Sequence, residues 1–210
     1  MGFDSEWKRF FFVFLTIALF CAMTKNIVGY IFGGIFVVMA LFSLYFFRDP
    51  KREPPADESL VLSPADGVVV AVRDFDDEEL GECLRVGIFM SLLDVHVNRS
   101  PVAGTVEKLD YREGSFKHAG SAEAFAGNER MIIDIDAGGT RVRVMQIAGM
   151  IARRVVCRLE VGQHLARGEK IGIIRFGSRL EIIMPKDRFE AVVTEGERVV
   201  CGESPIARRI

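Results

Sequence analysis

The stretch IIRFGSRLEI, residues 173–182, places a Gly-Ser pair between two apolar runs that look like β-strands. The pair is Gly177-Ser178, and Arg175 and Arg179 lie on either side of it. Glycine and serine are ordinary turn residues, so a turn is the simplest explanation for the pair taken alone. A serine hydroxyl is also a nucleophile once a base is near. The choice between these two interpretations depends on the rest of the chain.

Two further stretches carry polar groups that can act as acids or bases. SPADG, at 63–67, puts Asp66 at a turn before a strand, and DVHVNRSP, at 94–101, contains His96. Taken singly, an aspartate before glycine is a common turn residue, and a lone histidine is usually a structural hydrogen-bonding group. Histidine has an unperturbed pKa of ~6.5, which also suits proton transfer near neutral pH.

Composition and the absence of certain sequence motifs argue against several classes of function. The 210-residue chain has a formal net charge of −2, which does not favour nucleic-acid binding. No metal-ligand spacing, Walker loop or nucleophile elbow is present. The cysteines are widely spaced without a CxxC pair, which favours reduced thiols in a cytoplasmic domain over a zinc or redox site. They are Cys21, Cys83, Cys157 and Cys201.

The N-terminal part of the chain predicts a membrane anchor. Residues 27–47 contain no charge, and a helix of that length spans about 31 Å, which matches a bilayer core. Residues 10–23 are also apolar, but a helix there spans only about 21 Å. This first stretch is compatible with a signal-peptide core, with an interfacial or re-entrant helix, or with the first arm of a hairpin. We favour a transmembrane helical hairpin turning at 24–26.

Basic residues lie at both outer ends of this apolar pair: Lys8 and Arg9 before it, and Arg48, Lys51 and Arg52 after it. The positive-inside rule then puts both ends in the cytoplasm. We expect residues 1–48 to form the anchor and 49–58 a polar linker stiffened by two prolines. Residues 59–210 then form a domain on the cytoplasmic side of the cell membrane.

This domain has the pattern of a mainly β fold. Residues 131–147 alternate apolar and polar side chains around a Gly-Gly turn, which predicts a hairpin. Many short strands between Gly and Pro turns favour a sandwich or open barrel, with repeated turn–strand pieces typical of lipoyl-like cores. Only 74–80 and 120–130 look helical. The other predicted strands are 67–73, 84–91, 103–109, 153–159, 170–176, 179–184 and 190–195.

Read together, the polar stretches resemble the phosphatidylserine decarboxylase family, in its short membrane-anchored form from bacteria and archaea. The resemblance covers residues 60–206 and rests on five motifs in order. The motifs are SPADG, DVHVNRSP, NER at 128–130, QIAGMIARRVVC at 146–157 and GIIRFGSRLEIIMP at 172–185. Any one of these would be a weak signal, but five in order are specific.

The resemblance implies a pyruvoyl cofactor made from the chain itself. The family cleaves itself at a Gly-Ser bond, which corresponds here to Gly177-Ser178, and Ser178 becomes the pyruvoyl group. Cleavage would give a large β chain, 1–177, and a small α chain, 178–210, which remain together as a heterodimer. The pyruvoyl ketone condenses with the substrate amine as a Schiff base and takes up electrons as carbon dioxide leaves.

The resemblance also assigns roles to His96 and Asp66. His96 matches the family histidine associated with decarboxylation, and Asp66 matches the aspartate that supports self-processing. Longer members carry a second histidine three residues after the first, where this chain has Arg99. The base for self-cleavage is therefore open between His96 serving both steps and Asp66 acting directly. His118 is a weaker candidate, and we expect His164 to lie at the surface.

The implied reaction converts phosphatidylserine to phosphatidylethanolamine in the membrane, with no metal and no nucleic-acid partner. The basic residues 48, 51 and 52 lie where anionic head groups are, although their topological role explains them equally well. Arg153 and Arg154 could pair with the substrate phosphate, although alternation along a strand allows at most one of them to face the site. A homo-oligomer is compatible with the sequence.

Other functions remain open at this stage. An archaetidylserine decarboxylase would use the same chemistry on a lipid with ether-linked tails, which the sequence does not distinguish. A pyruvoyl enzyme for a soluble amino acid is disfavoured by the anchor. From a different class, a membrane-anchored lipoyl-like adaptor without catalysis would leave Gly177-Ser178 and His96 unexplained. A relative that has lost processing is a further alternative because of Arg99.

Overall fold

The structure is a computed structural model that describes residues 2–117, 125, 127–150, 154–175 and 178–210. Contacts along the chain divide it into two compact units, Met1–Lys51 and Arg52–Ile210. The first unit is helical and the second is built from strands.

Two antiparallel helices form the first unit. Helix α1 spans Trp7–Met23 and α2 spans Ile27–Phe46. A short strand pair, β1 at Gly2–Phe3 and β2 at Arg48–Asp49, joins the outer ends of the two helices. The turn between the helices ends at Asn26, whose side-chain oxygen accepts a hydrogen bond of 2.8 Å from the backbone N–H of Gly29. This contact caps the N-terminus of α2.

Small residues let the two helices come close. A Cβ atom at Gly29 would lie 1.9 Å from Thr24 Oγ1 and 2.4 Å from the Cys21 carbonyl oxygen, so only glycine fits there. Gly33 faces the Ala18 carbonyl, whereas Gly34 has nothing within 4 Å and plays no part in the approach. In the part of the chain that the structure describes, α2 is the helix long and apolar enough to cross a membrane.

The second unit contains four strands that follow one another through its first half: β3 (Leu60–Leu62), β4 (Gly67–Asp77), β5 (Gly81–Met90) and β6 (Val97–Arg99). The following strands are β7 (Gly104–Arg112), β8 (Arg130–Asp136), β9 (Arg141–Ala148), β10 (Val155–Cys157), β11 (His164–Leu165) and β12 (Lys170–Ile174). The last are β13 (Ser178–Pro185), β14 (Phe189–Ala191), β15 (Arg198–Val199) and β16 (Pro205–Arg209).

An eight-stranded antiparallel sheet, ordered β11-β7-β8-β9-β13-β5-β4-β15, is the centre of this unit. Two three-stranded sheets, β10-β12-β6 and β14-β16-β3, pack on one of its faces. The shared core joins residues of the large sheet, such as Val86 and Ile182, to Ile171 and Ile206 of the small sheets. A mainly β domain preceded by a pair of apolar helices confirms the predicted fold class.

The hairpin predicted at 131–147 is present as β8 and β9, with Asp136 paired to Arg141. The helix predicted at 74–80 is wrong, because β4 continues to Asp77 and turns back into β5 by pairing with Gly81. Most of the helix predicted at 120–130 lies outside the described residues. The sequence missed the short strands β3 and β6, which are too brief to show alternation.

The other face of the large sheet carries buried charges. Arg143 on β9 donates to both carboxylate oxygens of Asp134 on β8, at 2.7 and 2.9 Å, and Asp134 is fully buried. Arg143 also pairs with Asp77 at 2.7 Å and with Glu79. The hydrogen bonds to Asp134 are the main reason that the pKa of Arg143 lies above its usual value. These contacts tie the β4–β5 hairpin to β8 and β9.

Arg143→Ala should therefore lower the free energy of unfolding by about 3–5 kcal/mol, because it leaves a carboxylate buried without its partner. Arg141 is the matched control, since it lies on the same strand and pairs with Glu107 at 2.8 Å, with both side chains well exposed. Arg141→Ala should cost about 0–1 kcal/mol. Urea unfolding of the full chain in detergent measures both values. Equal losses for the two variants would contradict this account of the buried pair.

Candidate active site

Ser178 is the first residue of β13, the strand that lies between β9 and β5 in the large sheet. It pairs with Ala148 at the end of β9 and with Met90 at the end of β5. Because β13 runs antiparallel to both neighbours, β9 and β5 leave the sheet at the end where β13 enters it. Ser178 is fully buried at this end.

A row of buried polar groups lies beside Ser178. The Ser178 hydroxyl is 3.9 Å from the sulfur of Met90, and the side-chain Nδ2 of Asn98 donates to the same sulfur at 3.6 Å. Gln146 Nε2 donates to Asn98 Oδ1 at 2.8 Å. All four side chains are fully buried. The thioether can only accept, which orients the Asn98 amide and in turn the Gln146 amide.

This orientation leaves one acceptor unused. Within the described residues, Gln146 Oε1 is buried and has no hydrogen-bond partner. A buried amide oxygen without a donor costs free energy, so such an atom in a native site calls for a ligand or a functional explanation. Gly172 makes room for this side chain, since a Cβ there would lie 3.2 Å from Gln146 Nε2.

His96 is fully buried next to the strand that leads to Ser178. Its carbonyl oxygen accepts a hydrogen bond from the N–H of Ile174, the last residue of β12, and only three residues separate Ile174 from Ser178. Its ring Nδ1 is 3.0 Å from the Asp94 carbonyl oxygen. Because a carbonyl can only accept, Nδ1 carries the hydrogen, and a neutral His96 has its lone pair on Nε2.

Asp94 fixes the turn that precedes His96. Its carboxylate accepts from the backbone N–H and the hydroxyl of Ser91, at 2.8 and 2.7 Å, and from Arg198 at 3.2 Å. Burial acts to raise the pKa of Asp94, but the hydrogen bonds from Ser91 and Arg198 outweigh it, so this pKa lies below its usual value. The carbonyl that orients His96 therefore belongs to a rigid turn.

Asp66 lies at the same end of the sheet, one residue before β4 begins. Gly67 lies so close to β5 that a Cβ atom would be 2.1 Å from the Phe89 carbonyl oxygen. The Asp66 carboxylate accepts two hydrogen bonds from Arg52, at 2.9 and 2.8 Å, and one of 2.7 Å from the N–H of Cys201. Arg52 is thus mostly buried in an ion pair, which corrects its interpretation as a head-group contact.

The structure brings Ser178, His96 and Asp66 to one region without joining them directly. Among the described residues, the hydroxyl of Ser178 reaches Met90 rather than His96 or Asp66. Arg99, which stands where longer relatives have a second histidine, donates from Nη1 to the Gly168 carbonyl oxygen at 2.9 Å.

The remaining candidates divide into exposed residues and residues outside the described ranges. Arg154 and His164 are exposed. His164 lines a cavity of about 690 Å³ beside residues 54–61, and neither Ser178 nor His96 lines it. Gly177, His118 and Arg153 lie outside the described residues.

A buried cluster of charges supports the strand that carries Ser178. Arg179 donates to Glu181, and Arg85 on β5 lies 3.2 Å from the other oxygen of Glu181. Burial raises the pKa of Glu181, and the two arginines oppose this shift. Gly87 makes the space for this cluster, because a Cβ there would lie 2.7 Å from Arg179 and 2.8 Å from Glu181.

Sequence reasoning missed Asn98 and Gln146, although both lie inside the motifs that carry the resemblance. The signal that could have found them is an amide side chain within an apolar strand, since a buried amide needs partners. It also missed the Arg52–Asp66 pair, which joins residues that are distant in the chain.

The β domain thus buries a serine, a histidine and two amides near the first residue of its strand β13, which are residue types found in enzyme sites. Comparison with known sequences agrees. The sequence model of the phosphatidylserine decarboxylase family matches residues 39–207. The chain therefore belongs to the phosphatidylserine decarboxylase family.

Individual relatives match over nearly their whole length. The phosphatidylserine decarboxylase proenzyme of Trichlorobacter lovleyi is 42% identical over 93% of this chain and 90% of its own. That of Solibacter usitatus is 44% identical over 93% of both chains. The protein of the same name from Symbiobacterium thermophilum is 43% identical over 89% of this chain and 88% of its own.

The hydrogen bond between Asn98 and Gln146 can be measured with a double-mutant cycle. Gln146→Met keeps the volume but leaves Asn98 Oδ1 buried without a donor, so unfolding should be easier by about 1–3 kcal/mol. Asn98→Leu should cost a similar amount. The double variant should lose less than the sum of the two, because both polar ends are then removed. Additive losses in thermal unfolding would contradict the contact.

Proposed function

We propose that this chain is a self-cleaving phosphatidylserine decarboxylase that depends on a pyruvoyl group formed from Ser178. The observation that carries the proposal is the position of Ser178, which is fully buried at the head of the central strand in a chain of this family. Cleavage there would leave the new group at the end of a strand that is held on both sides.

The residue types at the bond account for self-cleavage. The Ser178 hydroxyl attacks the carbonyl of residue 177, and the peptide rearranges to an ester. A base then removes the α-hydrogen of Ser178, and the carboxylate of residue 177 leaves from the β-carbon. Hydrolysis of the resulting dehydroalanine releases ammonia. Threonine would give a homologous ketoacyl group, and alanine would have no oxygen with which to attack.

The described residues fit a pyruvoyl group at this position. Ser178 and the side chains around it are fully buried, and shielding from bulk water protects a reactive ketone. When formed, the pyruvoyl group supplies an electron sink for decarboxylation of an amine-bearing substrate.

His96 and Gln146 have suitable chemistry for the decarboxylation step. With Nδ1 committed to the Asp94 carbonyl, His96 holds or delivers a proton at Nε2, which is the role of a general acid at the substrate α-carbon. Gln146 Oε1 is an acceptor still in need of a donor, and an amine substrate brings N–H groups.

The sheet order explains how two cleaved chains would stay together. The small chain, residues 178–210, would contribute β13 between β9 and β5 of the large chain, β15 at an edge of the same sheet, and β16 and β14 beside β3 of the large chain. A strand in the middle of a sheet cannot leave without breaking two ladders of hydrogen bonds. We therefore expect a heterodimer without any covalent link.

The substrate is a lipid, so the enzyme must work at a membrane. An apolar helix, α2, that is long enough to span a bilayer supports an anchored enzyme. The distribution of basic residues supports a cytoplasmic position for the domain.

Mass spectrometry of the detergent-solubilised protein tests the cleavage. The chain of 23.5 kDa should appear as two chains of about 19.8 and about 3.7 kDa, scaled by chain length. The small chain should be about 17 Da lighter than a hydrolytic fragment, because a pyruvoyl group replaces serine. Ser178→Ala should give one intact chain, whereas Ser43→Ala, at a buried helical serine, should be cleaved normally. An intact wild-type chain would contradict the proposed cleavage.

Two substitutions separate the two reactions. His96→Ala should still be cleaved but should lose at least about a hundredfold in decarboxylation, because it lacks the acid. Asp66→Asn should leave most of the chain uncleaved, because the family aspartate supports processing. His164→Ala, at an exposed histidine, is the control and should change neither. An uncleaved His96→Ala chain would instead assign both steps to His96.

A further inference from the structure

The turn that leaves β5 has an unusual composition for its geometry. The N–H of Asp94 donates to the Ser91 carbonyl oxygen at 3.1 Å, so residues 91–94 form a tight turn with Leu92 and Leu93 at its centre. Turn centres favour Pro, Gly, Asn, Asp and Ser. Here both central residues are leucines, with exposed fractions of 39% and 63%.

This turn is rigid. Asp94 accepts two hydrogen bonds from Ser91 and one from Arg198, as described above. The two leucines are therefore presented outward by a fixed scaffold that makes no use of them in the core. Exposed single leucines are common on protein surfaces, so the position of these two matters as much as their exposure.

Their position is the end of the sheet at which Ser178 lies. Strands β5 and β9 both leave the sheet there, on either side of Ser178. The segment after β9 carries a third large apolar side chain, Met150, with an exposed fraction of 57%. Three exposed apolar residues thus lie just beyond the ends of the two strands that flank the reactive serine.

Basic side chains accompany these apolar ones. Arg198, which holds Asp94, keeps 70% of its side chain exposed. Arg154 is exposed too, and its carbonyl oxygen accepts from the N–H of Arg175, three residues before Ser178. Apolar tips next to arginines are suited to the interface of a bilayer, where the tips enter the acyl region and the cations meet anionic head groups.

We propose that the Leu92–Leu93 turn and Met150 insert into the lipid bilayer and hold the Ser178 end of the sheet against the membrane surface. The occupant of this surface is a bilayer containing anionic lipid. Insertion would let a lipid substrate enter the site without crossing water. This consequence for catalysis rests on the proposed function. His96 follows the same turn, and its Nδ1 bonds to Asp94, so the inserted tip and the proposed acid form one rigid piece.

Depth-dependent quenching tests insertion without reference to activity. The chain has a single tryptophan, Trp7, so the pair Trp7→Phe and Leu93→Trp places the only indole at the tip. In nanodiscs of phosphatidylcholine and phosphatidylglycerol, brominated acyl chains should quench its fluorescence at least about twofold.

The matched control is Val161, which has an exposed fraction of 62% and also lies in a turn. The N–H of Gly162 donates to the Val106 carbonyl oxygen, near the start of β7, which is the opposite end of the sheet from Ser178. Trp7→Phe with Val161→Trp should show no quenching by bromine. Equal quenching at the two positions, or none at position 93, would overturn the proposal.

A second measurement tests the consequence for the reaction. Leu92→Asp with Leu93→Asp should lower the rate on phosphatidylserine in bilayers at least about tenfold, but change the rate on a monomeric short-chain phosphatidylserine less than about twofold. Val161→Asp should change neither rate. Equal losses on both substrates would overturn the proposal. A wild-type chain that is neither cleaved at Gly177-Ser178 nor active on either substrate would refute the proposed function alone, and the quenching result would still decide insertion.

Discussion

Strand β13 is hydrogen-bonded along both edges, to β5 and to β9. Such a strand stays in place when its chain is cut at one end, and the proposed cofactor depends on this property. Ser178 is the first residue of the strand, and Met90 and Ala148 hold it from either side. A cut before Ser178 would free a backbone end without freeing the strand. The fold therefore allows a reactive group to be made in the chain and kept at a fixed place.

The two faces of the sheet differ in polarity at this strand. One face packs Leu180 and Ile182 into the apolar core, and the other carries Arg179 and Glu181 in a buried cluster with Arg85. Buried charges are costly without partners, so the cluster favours one register, because a slip by one residue would move the charges into the core.

Asp94 connects the surface of the domain to its interior. Its carboxylate locks the turn that exposes Leu92 and Leu93, and its carbonyl fixes the hydrogen on His96. Asp94 thereby lies between the exposed turn and the imidazole in the chain and contacts both.

The sequence by itself determined the fold class, the pair of apolar helices and the motifs that place the chain in its family, because alternation, apolar length and motif order are properties of the chain alone. It did not determine the end of the sheet at which Ser178, His96 and Asp66 meet, nor the partners Arg52, Asn98 and Gln146. Those depend on strand order and register, which bring together residues far apart in the chain. A buried amide or ion pair becomes visible only when its partner across the fold is known, and only the tertiary structure supplies that partner.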